Sequence, residues 1–218
     1  MENLNEIIER VHVSFAARTK ARDQALIQAR QLTRFCAHAI RAIHRDEVEN
    51  AQAKIGEARK LVKALRDDLV DTEPTIYYAG YSQDAIKEYV EACCTFALVQ
   101  DQTLPEPEEL GVEYSTYLKG LAEVVGELRR RCMDLLRHGY SQEVERLLGC
   151  MDEIYAVLVT VDYADAITFG LRRQTDMVRG ILERTRGDLT ISLREEQLKQ
   201  SMEDFLEKFS NNHTGSEG

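Results

Sequence analysis

Proline occurs at only three positions in this chain, Pro74, Pro105 and Pro107. The residue that most strongly breaks a helix is therefore missing from everything before Pro74 and everything after Pro107. The stretch from about Asn3 to Arg45 also lacks glycine. On it Ala29, Leu32, Phe35, Cys36, Ala39, Ile40 and Ile43 fall on one broad face when residues advance by about 100°. This spacing predicts one long first helix, opened by Asn3 with Glu6 as a capping pair.

The rest of the chain reads the same way. Asp46 with Glu49 is expected to cap a second helix that continues to about Val70, and Thr72–Tyr81 reads as a turn. Ser82 is expected to open a third helix, through about Gln100, before an acidic loop around Pro105 and Pro107. A fourth helix runs from about Glu113 to Arg137 and stops at His138-Gly139. Ser141 caps a fifth, through about Val161. The sixth covers about Ala164–Arg186, where Gly187 is expected to end it, and a short seventh spans about Leu193–Phe209.

No segment alternates long enough for a strand, since Thr190-Ile191-Ser192 is too short, and no 20- to 50-residue repeat is visible. The expected fold is therefore all-α: a single bundle domain of about six to seven helices over residues 1–209, followed by a polar, disordered tail at 210–218. At about 1.5 Å per residue the first helix would span roughly 60 Å, more than a compact bundle of this mass needs. Part of it should pack against another subunit.

Composition excludes several classes. With 44% hydrophobic and 30% charged residues the chain is built to bury a core. No apolar run reaches the roughly 20 residues of a membrane span, and the acidic N-terminus lacks the apolar segment of a signal peptide, so no membrane role and a cytoplasmic location are expected. The five cysteines, Cys36, Cys93, Cys94, Cys132 and Cys150, form no CxxC pair and read as reduced core thiols. The net charge of −10 is unevenly spread. Between Arg10 and Arg45 the only acid among eight basic residues is Asp23, and arginine outnumbers lysine 20 to 8, which suits forked contacts to phosphate.

Two constellations carry chemistry. From Tyr89 to Val99 the only charged residue is Glu91, and Glu88 shares its helix face three residues earlier. A carboxylate in so apolar a run needs a cation or a partner when buried. Glu123 and Glu127, four apart in a second apolar helix, form a similar pair. Two antiparallel helices could join all four, and clustered hard oxygens suit Mg²⁺ or Mn²⁺. Solvated helix faces carry the same spacings, so a purely structural role stays open at this point.

The second constellation is Arg30, Arg34, Arg41 and Arg45, at about 0°, 40°, 20° and 60° around the first helix, with His38 at the edge of the stripe. Such a stripe can track a phosphate backbone, or serve as a solvated face or an ion-pairing surface between subunits. Arg129-Arg130-Arg131 and Arg172-Arg173 are weaker candidates, because consecutive residues point in different directions. No HExxH, P-loop or GxGxxG pattern occurs.

Ile86-Lys87-Glu88-Tyr89-Val90-Glu91-Ala92 resembles the EYVEA segment of the translin/TRAX family, in the branch of TRAX, the translin-associated factor. Tyr117-Leu118-Lys119-Gly120-Leu121-Ala122-Glu123-Val124-Val125-Gly126-Glu127-Leu128 resembles that family's YLLGxADLTGEL helix, and Ala42-Ile43-His44-Arg45 is similar to its LLHR segment. The resemblance covers roughly residues 5 to 190. It implies a metal-dependent endoribonuclease whose catalytic and metal-holding acids are Glu88, Glu91, Glu123 and Glu127. The ion would be Mg²⁺ or Mn²⁺, and Arg30, Arg34, Arg41 and Arg45 would bind the nucleic acid. Position 123 departs from the pattern, with Glu where TRAX has Asp. The resemblance also implies a closed homo-oligomer, an octamer, with RNA or single-stranded DNA inside, and a translin-like chain as an alternative partner. Two rival readings stand beside it: a translin-like nucleic-acid-binding shell without catalysis, and an all-α Mg²⁺-dependent nucleoside-triphosphate pyrophosphatase. The ExxxE spacing of the second pair argues against the latter.

Overall fold

The computed structural model describes residues 2–214, and side chains for 3–209. The described chain is all-α. Six long helices are joined by three single-turn ones: α1 (Glu2–His44), α2 (Val48–Leu69), α3 (Pro74–Tyr77), α4 (Gly80–Val99), α5 (Pro107–Leu110), α6 (Tyr114–Leu136), α7 (Gln142–Val159), α8 (Asp165–Thr168) and α9 (Leu171–Thr214). All three prolines lie in or beside the short connections. Pro74 and Pro107 each sit in the first turn of a one-turn helix, where a missing N–H costs nothing.

The described chain parts into two compact units, and the division falls inside α6, between Val124 and Val125. The first unit holds α1 to α5, the start of α6 and the segment Tyr163–Arg172. Its core is the predicted face of α1, with Leu32, Cys36, Ala39 and Ile43 buried against α2 and α4. Phe35 is only half-buried, and the Lys54 ammonium lies 6.0 Å from its ring centroid. From Ala58, Val62 and Leu65 on α2 to Ile86, Tyr89, Val90 and Cys94 on α4, the facing side chains are equally enclosed. By contrast, residues 3–20 of α1 are exposed along their whole length.

The second unit contains the rest of α6, α7 and most of α9. Its core includes Leu128, Cys132, Val144, Leu147, Met151, Val178, Leu182 and Leu189. Here the structure corrects the expected helix boundaries. The sixth helix starts at Leu171 rather than Ala164, because Phe169 (φ 49°) and Gly170 (φ 86°) are both left-handed and end the single turn α8. The Gly170 N–H donates to the Asp165 carboxylate at 2.8 Å and fixes that break. Gly187 does not end the helix. The buried series Val178, Leu182, Thr185, Leu189 continues across it at helical spacing, and the burial outweighs the roughly 1 kcal/mol that a helical glycine costs. Arg129 holds both sides of Gly187, donating to Thr185 Oγ1 at 3.0 Å and to Asp188 Oδ2 at 2.7 Å. Consequently α9 also runs into the segment expected to be a disordered tail, as far as Thr214; residues 215–218 lie outside the described residues.

Ser141 stands at the N-cap of α7 as expected, without a side-chain cap bond, but three other expected caps differ. Asn3 lies inside α1, which begins at Glu2, so the cap of that helix lies outside the described residues. The N-cap of α2 is Glu47, preceded by a left-handed Asp46 (φ 57°). Ser82 is not a cap. It is buried inside α4, donating its hydroxyl to the Ile76 carbonyl at 2.9 Å.

Candidate metal centre

Helix α4 places Glu88 and Glu91 on one face, and the first unit sets the start of α6 against that face. The approach depends on Gly120. A Cβ there would come within 2.7 Å of Val90 Cβ, 2.8 Å of Val90 Cγ1 and 2.9 Å of the Lys87 carbonyl oxygen. Polar bonds fix the register nearby. Thr116 donates to Gln83 Oε1 at 2.6 Å, Gln83 in turn donates to the Tyr77 carbonyl at 2.9 Å, and Tyr117 donates to the Pro105 carbonyl at 2.9 Å. One turn beyond this close approach, α6 presents Glu123.

As a result Glu88, Glu91 and Glu123 each offer a carboxylate oxygen, and the three oxygens lie within 4.8 Å of one another. Glu91 is only 8% exposed, while Glu88 and Glu123 are half-buried. Glu127, the fourth acid suggested by sequence, lies one turn further along α6 in the second unit and pairs with Arg130 at 3.7 Å.

Two contributors at this site do not stand out in the sequence. Lys87, whose side chain is 14% exposed, brings its ammonium to 2.7 Å from Glu123 Oε1 and 4.0 Å from Glu88 Oε1. Burial opposes its charge, but the Glu123 hydrogen bond and the charges of Glu123, Glu88 and Asp84 raise its pKa above the ordinary lysine value. Gly120 is the other. A glycine inside a helix asks for a packing reason, and that is the available signal. For Lys87 the signal is a basic residue directly before the acid pair.

The donor set is chemically hard. Cys36 is close enough to feel the charges of Glu88 and Glu91, yet burial first, then Cys93 and these two acids, push its thiol far above the usual range. Its sulfur is not among the three converging ligand atoms. Behind the acids, Tyr89 is fully buried and accepts a hydrogen bond from Arg59 Nε at 3.1 Å. Burial and Cys93 outweigh Arg59 and hold the phenol protonated, again far above its ordinary range.

Arg30, Arg34, Arg41 and Arg45 are all exposed, on the side of α1 opposite its buried face. Arg45 lies 4.0 Å from Glu47, and the other three make no ion pair among the described residues. His38 is exposed beside them. Arg129 instead serves the interior of the second unit through Thr185 and Asp188. Among the described residues no helix is long and apolar enough to cross a membrane.

An all-α chain with three carboxylates gathered from two of its helices defines a class, and comparison with known proteins narrows it. The model of the Translin family matches residues 17–185. An uncharacterised protein of Methanocaldococcus jannaschii is 32% identical over 204 residues, covering 93% of this chain and 88% of its own length. Among solved structures, AfC3PO in complex with duplex RNA superposes with a TM-score of 0.76 at 28% identity, covering 86% of this chain and 97% of its own. AfC3PO crystallised in another structure gives 0.76 at 28% identity, over 88% and 98%. Apo-NeC3PO gives 0.77 over 85% and 96%, but at 19% identity it bears on the fold alone. The chain belongs to the translin family.

Proposed function

We propose that this protein is a metal-dependent endoribonuclease of the TRAX type, acting on RNA held by an oligomeric shell of its own copies. The observation that carries this reading is the group Glu88, Glu91 and Glu123, whose oxygens converge within 4.8 Å although they come from two helices. Three carboxylates without a thiolate or imidazole among them suit a hard cation such as Mg²⁺ or Mn²⁺. These three residues would hold it. Once bound, it would supply an activated water and neutralise charge developing on the phosphate.

The remaining work falls to the protein. Gly120 sets the spacing between the two helices that bear the acids, and Lys87 orients Glu123. The exposed row Arg30, Arg34, Arg41 and Arg45 is suited to hold a phosphate backbone by charge. The duplex RNA bound by AfC3PO supports RNA as the ligand here. Glu127 has the spacing to assist, and it pairs with Arg130 at 3.7 Å.

The test is incubation of purified protein with labelled single- and double-stranded RNA, with and without Mg²⁺. Cleavage that needs Mg²⁺ and stops on chelation is expected. RNA binding without cleavage would assign a non-catalytic shell, and release of pyrophosphate from nucleotides alone would assign the pyrophosphatase chemistry. Native mass spectrometry is expected to show a closed assembly of eight copies. A monomer throughout the micromolar range would overturn the shell.

A further inference from the structure

We propose that the exposed apolar seam along the first half of α1 is covered, in the assembly, by the distal part of α9 from a second copy of this chain. The inference rests on the oligomeric reading above and names the two surfaces that meet.

Matched spacing is the first argument. Leu4, Ile8, Val11 and Phe15 follow one another at intervals of four, three and four residues, and each is more than a third exposed. On α9, Leu198, Met202, Phe205 and Phe209 repeat the same intervals, and each is more than half exposed. A repeat of this kind is what lets two helices pack along a common seam. Ile7 and Leu206 widen the two surfaces. The Phe205 and Phe209 rings already stack, with centroids 6.3 Å apart, and form one aromatic ledge. Both seams lie outside residues 17–185, the part of the chain that the family model matches.

Charge selects the pairing. Residues 10–22 of α1 carry Arg10, Arg18, Lys20 and Arg22 and no acid. Residues 195–207 of α9 carry Glu195, Glu196, Glu203, Asp204 and Glu207 against the single base Lys199. Two α9 segments would set negative against negative and two α1 segments positive against positive, whereas α1 against α9 joins opposite signs. Glu73 holds Arg18 at 3.1 Å and Asp23 lies 3.4 Å from Arg22, which reduces the positive side without reversing it. Glu6 and Glu9 precede the basic stretch and Lys208 follows the acidic one, so an antiparallel arrangement brings these together as well. The α1 seam ends at a groove of about 260 Å³ lined by Phe15, Ile76, Arg18, Thr19 and Arg22. Apolar surface with guanidinium groups beside it suits a helix that is itself apolar and acidic.

The experiment follows native mass on dilution of the full-length protein, for wild type and three variants. One carries Ile8→Lys with Val11→Lys, one carries Met202→Glu with Phe205→Glu, and the third carries all four. These positions are central in their seams, and lysine and glutamate are good helix formers. Each two-site variant is expected to dissociate at a concentration at least about tenfold higher than wild type, because charge enters an apolar contact. The four-site variant is expected to regain most of that loss, since its lysines would face the glutamates of the next copy. If each seam instead paired with its own kind, the four-site variant would be at least as weak as the weaker two-site variant, and the proposal would be overturned. An assembly that tolerates either pair of substitutions overturns it too, and α9 lying on α1 of the same copy gives that result. A wild type that is monomeric throughout the micromolar range overturns the shell itself, and this contact with it. Circular dichroism establishes that each variant is folded.

Discussion

Gly120 and Val90 lie so close that a single methyl group on the glycine would sit 2.7 Å from Val90 Cβ. This approach sets the separation of α4 and α6 at the level of the acids, so Gly120→Ala tests packing and function together. Overpacking of this kind costs about 1–3 kcal/mol, against roughly 1 kcal/mol gained from alanine's better helix propensity. We expect a net loss of stability in urea denaturation and a larger loss of Mg²⁺-dependent cleavage, as Glu123 moves away from Glu88 and Glu91. Gly187→Ala is the control. Nothing lies within 4 Å of the added atom, so it should stabilise the protein by up to about 1 kcal/mol. Equal responses at the two positions would dismiss the spacing role.

Glu91→Gln and Glu88→Gln should abolish Mg²⁺-dependent RNA cleavage while RNA binding and native mass persist. The amide keeps the shape and loses the charge that a hard cation needs. Melting temperature without metal should hold or rise, because crowded carboxylates repel one another. Glu123→Gln should abolish cleavage as well, but it also deprives Lys87 of its 2.7 Å partner and should lower the melting temperature. Full cleavage by the Glu91→Gln protein would remove that residue from the catalytic set.

Arg30→Ala combined with Arg34→Ala should weaken RNA binding across sequences and flatten its dependence on salt. Every guanidinium withdrawn from a phosphate should lower the slope of log K against log salt by about one, so the double variant should be shallower by about two. An unchanged slope, measured by fluorescence anisotropy at several salt concentrations, would assign the stripe to some other surface role.

Stability should decline steeply in alkali. Burial pushes the Cys93, Cys94 and Cys132 thiols up from 9.0 to about 12. These folded-state values are raised, so the thiols stay protonated in the fold while those of the unfolded chain ionise above about pH 9. The unfolded chain then binds fewer protons, and stability present in full below pH 9 is lost between pH 9 and 12. Each thiol contributes about 1.4 kcal/mol per pH unit in that window. Urea denaturation at pH 8, 10 and 11 checks this, and Cys94→Ala should show a visibly shallower decline. A flat profile from pH 8 to 11 would contradict the assignment.

The legible and illegible parts of this protein divide along physical lines. The α1 face can be read because Leu32, Cys36, Ala39 and Ile43 repeat at helical spacing within one segment. Glu91 can be read because it is a lone charge in an apolar run. The continuity of α9 through Gly187 is not legible, because the local penalty of the glycine is visible in the sequence and the tertiary burial of Leu182 and Leu189 on either side is not. Lys87 and Glu123 are neighbours only because α4 and α6 pack, and no pattern within either helix shows that. Caps mislead for a related reason: Ser82 has the chemistry of a cap, but the fold uses its hydroxyl to tie down Ile76.

The bare first half of α1 has a consequence for handling the protein. Leu4, Ile7, Ile8, Val11 and Phe15 recur along it at helical spacing, and every one of them is more than a third exposed. In the proposed oligomer, a subunit that came away would carry this greasy rail into solvent. Dilution should then do more than dissociate the assembly: it should leave a chain that adsorbs to surfaces, takes up hydrophobic dyes and loses activity on standing. Apparent thermal stability should climb with concentration, since each association that covers the rail is driven by mass action.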